Sequence, residues 1–245
     1  MCTGPHDLIT RRGVLVTLAG ALVAVTTRTG AKAPALPAEV AGIALPRTSL
    51  TESAAALARS ACPEFLFNHS LRTYLFGALS LKAQRVAFDP QMAFVAAALH
   101  DLGLLPAFAS KRGSFEIDGA NRAEDLMRTA GRPAAQGRVV WNAIVAHDMR
   151  DDYAAHQSAE AQVVAEGAGA DVVDPGDLDH HAIQEVLHAF PRLQFKTRFT
   201  ALLVDHCRRK PTSQIGWLEG LCRATVPEAR RGSVQQVIAQ APYPE

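Results

Sequence analysis

From residue 51 to residue 209 the apolar positions recur mostly at spacings of three and four, and few stretches alternate with a period of two. That periodicity belongs to helices that bury one face. Thr51 begins a run rich in Ala and Leu. Pro63 suits the first turn of a second helix, continuing to about Lys82, because the N–H it lacks would have no partner there. Asp89-Pro90 opens a third helix, apolar almost without a break from Met92 to Leu99, which ends in His100-Asp101 before the stop signals Gly103 and Pro106. A helix that is apolar all round is a core helix. After a loop at 107–116, helices are expected over about Asp118–Thr129 and Pro133–His147, from a Ser158 cap through Val163-Val164, and over about 177–189 and 195–209, with a turn at Pro175-Gly176. The pattern contains no internal repeat and no Asn-Gly hairpin signal. The expected architecture is all-α, one helical domain over 51–215 with a C-terminal extension over 216–245.

The first 33 residues read differently: Thr10-Arg11-Arg12 precedes an apolar run from Gly13 to Val25, with small residues around Ala31 and Ala33. Charged, apolar and small-residue regions in that order mark a secretory signal. The paired arginines resemble a twin-arginine export signal, with Val14 where such signals usually carry Phe. The expectation is an exported, periplasmic or extracellular protein; an uncleaved N-terminal anchor is the alternative. The apolar run is short for a membrane span, so no stable span is expected after signal removal. The Ala- and Pro-rich residues 34–50 are expected to be a linker. With 25 basic against 24 acidic residues and only 6% aromatics, nothing favours nucleic acid as a partner. None of Cys2, Cys62, Cys207 and Cys222 sits in a C-x-x-C pair, which excludes a zinc ribbon. Buried thiols are expected, with a Cys207–Cys222 bridge as the alternative.

Chemistry enters where polar residues interrupt apolar surfaces. A carboxylate at the end of a buried helix is costly unless paired or metal-bound, and the adjacent imidazole is the commonest metal ligand. Phe65, His69, Arg72, Phe76 and Leu79 share one helical stripe, and Val140, Ile144 and His147 share another. Asp171 is a single carboxylate in the small, apolar segment 167–173. His69, His100, Asp101 and Asp171 together make a set suited to Zn, Mn, Fe or Ni. Such an ion leaves room for a water of lowered pKa, a ready nucleophile. His181, Glu185 and His188 also share a helix face, expected to be a solvated one. Arg208-Arg209-Lys210 fits the last turn of a helix, facing its negative end.

The order His…His-Asp…Asp resembles the HD-domain superfamily of metal-dependent hydrolases. Four segments, Phe67–Tyr74, Ala98–Gly103, Phe115–Ala120 and Trp141–His147, are similar to its cyanamide hydratase-like branch, and Phe190-Pro191-Arg192 and Lys196 extend the likeness. The resemblance implies an all-helical bundle around one divalent metal ion, zinc first and Fe, Mn or Ni as alternatives, held by His69, His100, Asp101 and Asp171. Asp174 competes with Asp171 for the last place. The implied activity is hydrolysis or hydration of a small molecule such as cyanamide or another nitrile. In that reading His147 is a general acid/base or an extra ligand, and Asp118 orients water or substrate, or caps its helix. Arg72 holds a polar group or pairs with a ligating carboxylate. Two other readings stay open: a phosphohydrolase, against which Leu104 stands where many such enzymes have Lys, and a metal-binding envelope protein without turnover.

Overall fold

The computed structural model of the chain describes residues 35–111, 113–149, 153–210 and 234–243. The expected export signal and Cys222 lie outside the described residues. The fold is all-α. Among the described residues its helices are α1 (Ser49–Ala61), α2 (Glu64–Gln84), α3 (Pro90–Leu99), α4 (Phe115–Thr129), α5 (Ala134–Ala146), α6 (Tyr153–Gln157), α7 (Ala159–Val172), α8 (His180–Ala189), α9 (Phe195–Arg209) and α10 (Val234–Gln240), with a 3₁₀ turn at Leu102–Leu104. Among the described residues, strands occur only in an antiparallel hairpin, β1 (Glu39–Val40) and β2 (Ile43–Ala44).

Local chemistry sets the boundaries. Thr48 and Thr51 exchange side-chain and backbone bonds in a capping box that starts α1. Asp89 accepts from the N–H groups of Gln91 and Met92, with Pro90 in the first turn of α3. Ser158 accepts from Ala161 N–H at the start of α7, as its sequence position suggests. α4 begins at Phe115, earlier than the expected Asp118, and α6 is a short helix that the pattern did not announce.

α2 packs against α1, α3, α7, α8 and α9. Every residue from Phe65 to Ala78 is buried, so the expected single stripe is one side of a helix enclosed all round. α7 lies against it at backbone contact: a Cβ on Gly77 would come 1.9 Å from the Val163 carbonyl oxygen, and one on Gly167 would come 1.8 Å from that of Thr73. The absence of side chains at these two positions is what lets the helices approach. α3 is buried along its length from Met92 onward, as its unbroken apolar run requires.

Residues 36–50, expected to belong to a linker, are instead packed into the domain. The packed unit begins at Leu36, and Val40, Ile43, Leu45 and Leu50 are buried in the core. Ala41 and Gly42, both at positive φ, form the two-residue turn between β1 and β2. Ala and Pro dominate the composition of 34–50, but the apolar positions among them find the core. The far end of the C-terminal extension also docks: Ile238, Ala241 and Tyr243 are buried, Lys196 Nζ donates to Ala241 O at 2.7 Å, and Tyr243 Oη donates to Ala170 O at 2.6 Å. No helix among the described residues is long and apolar enough to cross a membrane.

Candidate metal centre

α2 and the end of α3 bring His69, His100 and Asp101 together in the core, each almost wholly shielded from solvent. His69 Nε2 and His100 Nε2 are 3.3 Å apart, and Asp101 Oδ2 lies 3.3 Å from each of them. The three atoms form an equilateral triangle. Donors held about 2.0–2.1 Å from a tetrahedral cation are spaced by roughly 3.3–3.4 Å, so the triangle has the size of one face of such a site.

Hydrogen bonds behind the triangle fix which atoms face inward. His100 Nδ1 donates to Ala97 O at 2.8 Å, and His69 Nδ1 donates to Asp171 Oδ2 at 2.7 Å. With Nδ1 donating on both rings, Nε2 is the atom that each imidazole turns toward the other and toward Asp101. Asp101 Oδ2 has no hydrogen-bond partner although it is buried. Burial alone would lower the pKa of His69, but the carboxylates of Asp101 and Asp171 outweigh it and raise that pKa. Burial likewise opposes ionisation of Asp101, and His100 and His69 outweigh it to hold the carboxyl far below its usual range. Three converging donors in a field that favours positive charge are what a bound cation needs.

Asp171 stands one step behind the triangle rather than in it. Arg72 Nε donates to Oδ1 at 2.8 Å and Arg72 Nη2 to Oδ2 at 2.7 Å, a bidentate pair. Arg192 Nη1 donates to the same carboxylate at 2.5 Å and to the Asp171 carbonyl at 2.9 Å. With His69 added, both oxygens of Asp171 are engaged, so the structure brings together three of the four residues expected as ligands. Arg72, expected to hold a polar group or pair with a ligating carboxylate, pairs with a carboxylate outside the triangle, and its Nη1 also reaches Phe190 O and Pro191 O. Asp174, the competitor, is exposed and accepts from Gly176 N–H in a turn.

His147 follows α5 and places its ring 4.8 Å from that of His100, edge to face. Its Nδ1 donates to Ile144 O at 2.6 Å, which leaves Nε2 as a free acceptor. Burial, and then the charge of His100, push its pKa down to about 4, so the ring is neutral at physiological pH. Asp118 is placed elsewhere: its Oδ2 accepts from Ser110 N–H at 2.9 Å and from Lys210 Nζ, while the cap of α4 is Ser114. The structure therefore gives Asp118 to the loop that precedes α4, not to the triangle. The His181–Glu185 pair is solvated, with side-chain exposures of 83% and 47%, as expected of an outward face.

Three residues near the centre had no weight in the sequence reading. Arg192 appeared only as part of the Phe190-Pro191-Arg192 likeness. Glu116 and His206 are buried with no hydrogen-bond partner on any side-chain N or O atom. Glu116 lies two residues before Asp118 in a quoted motif, but periodicity alone does not separate an inward Glu from a first-turn Glu facing solvent. No family model matches this chain, and no curated protein is significantly similar to it.

Proposed function

We propose that this chain is a metal-dependent hydrolase or hydratase of the HD-domain type, acting on a small molecule with a cyanamide- or nitrile-like group. The observation that carries the reading is the triangle of His69 Nε2, His100 Nε2 and Asp101 Oδ2, with 3.3 Å edges and both imidazoles turned Nε2 inward. A divalent cation held there, zinc first among the candidates, would supply a Lewis acid and a water acidic enough to be a nucleophile near neutral pH. Three protein donors leave a further position for that chemistry.

The chain's own residues have distinct tasks in this proposal. Asp171, clamped by Arg72 and Arg192, orients His69 and raises its basicity through Nδ1. The Ala97 carbonyl does the same for His100. His147, neutral and with Nε2 free, takes a proton from the attacking water and returns it. Hydration of a nitrile carbon joins oxygen to carbon and hydrogen to nitrogen, and yields an amide or a urea. Leu104 stands where many phosphohydrolases of the resembled superfamily carry Lys, which favours this reading over a phosphohydrolase.

Metal analysis of the chelator-free protein tests the proposal, run beside assays on cyanamide, small nitriles and a nucleotide panel. The expected results are near-stoichiometric metal in the wild type, its loss in His100→Ala and Asp101→Ala, and urea from cyanamide. Full metal content in both variants would remove the ligand assignment. Phosphate release from nucleotides would move the activity to the rival class.

A further inference from the structure

Residues 241–243 meet the clamp behind the triangle and have no part in the proposed chemistry. Tyr243 is 5% exposed and touches three parts of the fold at once. Its Oη donates to Ala170 O at 2.6 Å, one residue before Asp171 on α7. Its ring stacks on that of Phe76, two turns beyond His69 on α2, with the centroids 6.3 Å apart and the planes 11° apart. The same ring carries the Arg192 guanidinium, whose carbon lies 4.6 Å from the centroid. Burial, and then the charge of Asp171, push the Tyr243 pKa up, so the hydroxyl stays a donor.

The turn that carries Arg192 is strained. Leu193 and Gln194 follow it with φ of 55° and 61°, a left-handed backbone that residues with a side chain disfavour. Such a pair persists only where its surroundings over-determine it. Here both flanks are held. Arg192 Nη1 donates to the Asp171 carboxylate and carbonyl, and its guanidinium meets the rings of Tyr243 and Phe195. Phe195 in turn stacks on His69, with the centroids 4.8 Å apart. Lys196 Nζ, next in the chain, donates to Ala241 O at 2.7 Å. Residues 241–243 therefore grip the turn on either side of the strained pair, and the turn presents Arg192 to Asp171 and Phe195 to His69.

We propose that Tyr243 is a positioning residue of the candidate metal centre: it holds Arg192 and the Ala170 carbonyl, and through them keeps Asp171 on His69 Nδ1. The proposal rests on the metal-binding part of the hydrolase reading and not on its substrate. Asp171 serves His69 only if its backbone and its carboxylate plane are both fixed. Tyr243 bears on each. The hydroxyl pins the backbone one residue before the carboxylate. The ring backs the guanidinium that engages Oδ1, while Oδ2 accepts from His69 and Arg72. His100 has no such dependence, because its Nδ1 donates to Ala97 O three residues back in the chain. Loss of Tyr243 therefore loosens one of the two imidazoles and spares the other.

The test uses the full chain and reads the two imidazoles separately. Nitrogen-edited NMR of the zinc-free protein follows the Nδ1 protons of His69 and His100, and chelator competition measures the zinc affinity of the folded protein. Tyr243→Leu removes the hydroxyl and the aromatic face together. It is expected to broaden or erase the His69 proton, to leave that of His100 in place, and to weaken zinc by about tenfold or more, as loss of a group that orients a ligand does. Tyr243→Phe keeps the ring and should restore most of the affinity, leaving a deficit of about two- to fivefold, the worth of one neutral hydrogen bond. Leu45→Ala, at a buried position outside these contacts, controls for stability alone: it should lower the melting temperature with both ring protons and the zinc affinity of the folded protein unchanged. Circular dichroism verifies folding, and where Tyr243→Leu does not fold, Tyr243→Phe decides by the same signals, an unchanged His69 proton and affinity counting against the proposal. Equal loss of both ring protons in Tyr243→Leu, or zinc affinity no lower than in Leu45→Ala, overturns the positioning role. A wild type that binds no zinc, yet loses only the His69 proton in Tyr243→Leu, keeps the role and removes the hydrolase reading. Zinc bound with unchanged affinity in Tyr243→Leu removes the role and keeps that reading.

Discussion

His69 and Asp171, 102 residues apart in the chain, are joined by a 2.7 Å bond from Nδ1 to Oδ2 that sets the inward face of the imidazole. The carboxylate that makes this bond is itself fixed by Arg72 and Arg192. Neutralising it separates orientation from ligation. Asp171→Asn should keep His69, His100 and Asp101 in place but weaken metal binding by roughly 10–100-fold, the usual effect of losing a residue that orients a ligand. It also leaves two buried guanidinium groups short of an anion, at a cost of about 3–5 kcal/mol. Chelator competition and thermal unfolding read the two effects. Complete loss of metal at native stability would instead make Asp171 a direct ligand.

Lys210 and Asp118 hold the loop between the 3₁₀ turn and α4. Lys210 Nζ donates to Asp118 and, at 2.6 Å, to Gly113 O, while Asp118 also accepts from Ser110 N–H. The pair is buried, with side-chain exposures of 6% and 3%. Lys210→Met should therefore destabilise the protein by about 3–5 kcal/mol and speed amide exchange at Ser110 and Gly113. The double variant with Asp118→Asn should recover part of the loss, since it removes the stranded charge as well. Unaltered exchange in Lys210→Met would return Asp118 to the list of candidate catalytic groups.

The inward face of α2 and the His100-Asp101 pair were legible in the sequence because helical period and an apolar run each restrict where a side chain can point. Metal-ligand residue types on those faces then suggest one centre. The position of Asp171 was not legible to the same depth. Its segment is small and apolar, which announces a buried carboxylate, but whether a carboxylate faces a cation or two arginines depends on Arg192, far along the chain and outside any helical pattern. Glu116 and His206 were missed for a related reason. Periodicity ranks positions by apolar neighbours, and a buried polar residue breaks the pattern it would be recognised by. The hairpin over residues 39–44 was hidden by composition, since Ala and Pro around it read as a linker while Val40, Ile43 and Leu45 carry the packing.

Glu116→Gln offers a stability measurement with a defined sign. The folded carboxyl has its pKa raised from 4.5 to about 7. Between those values the folded state binds more protons than the unfolded state, so stability falls as pH rises. The penalty is absent below about 4.5, complete above about 7, and on the order of 1–3 kcal/mol. Gln carries no such charge. The variant should match the wild type in melting temperature at pH 4 and exceed it by several degrees at pH 8. Equal melting temperatures at both values would mean that the folded carboxylate is solvated or paired.

The glycines between α2 and α7 test whether the candidate centre depends on helix approach rather than on its own residues alone. Gly77 and Gly167 touch neither the triangle nor Asp171 through a side chain, yet they set the distance between the helix of His69 and that of Asp171. A methyl group at either position meets a backbone carbonyl at 1.9 or 1.8 Å, and backbone cannot swing aside as a side chain can. The helices must separate, and the 2.7 Å bond from His69 to Asp171 lengthens with them. Gly77→Ala and Gly167→Ala should each cost at least about 1–3 kcal/mol from overpacking, and should lower metal affinity in whatever fraction remains folded. Gly169→Ala, on the same helix with open space around its Cβ position, serves as the control and should leave both quantities unchanged or slightly raise stability. Thermal unfolding and chelator competition on the three variants decide the matter: metal affinity at the wild-type level in folded Gly77→Ala and Gly167→Ala would show that the centre tolerates helix separation and that the Asp171 bond is not what holds His69 in register.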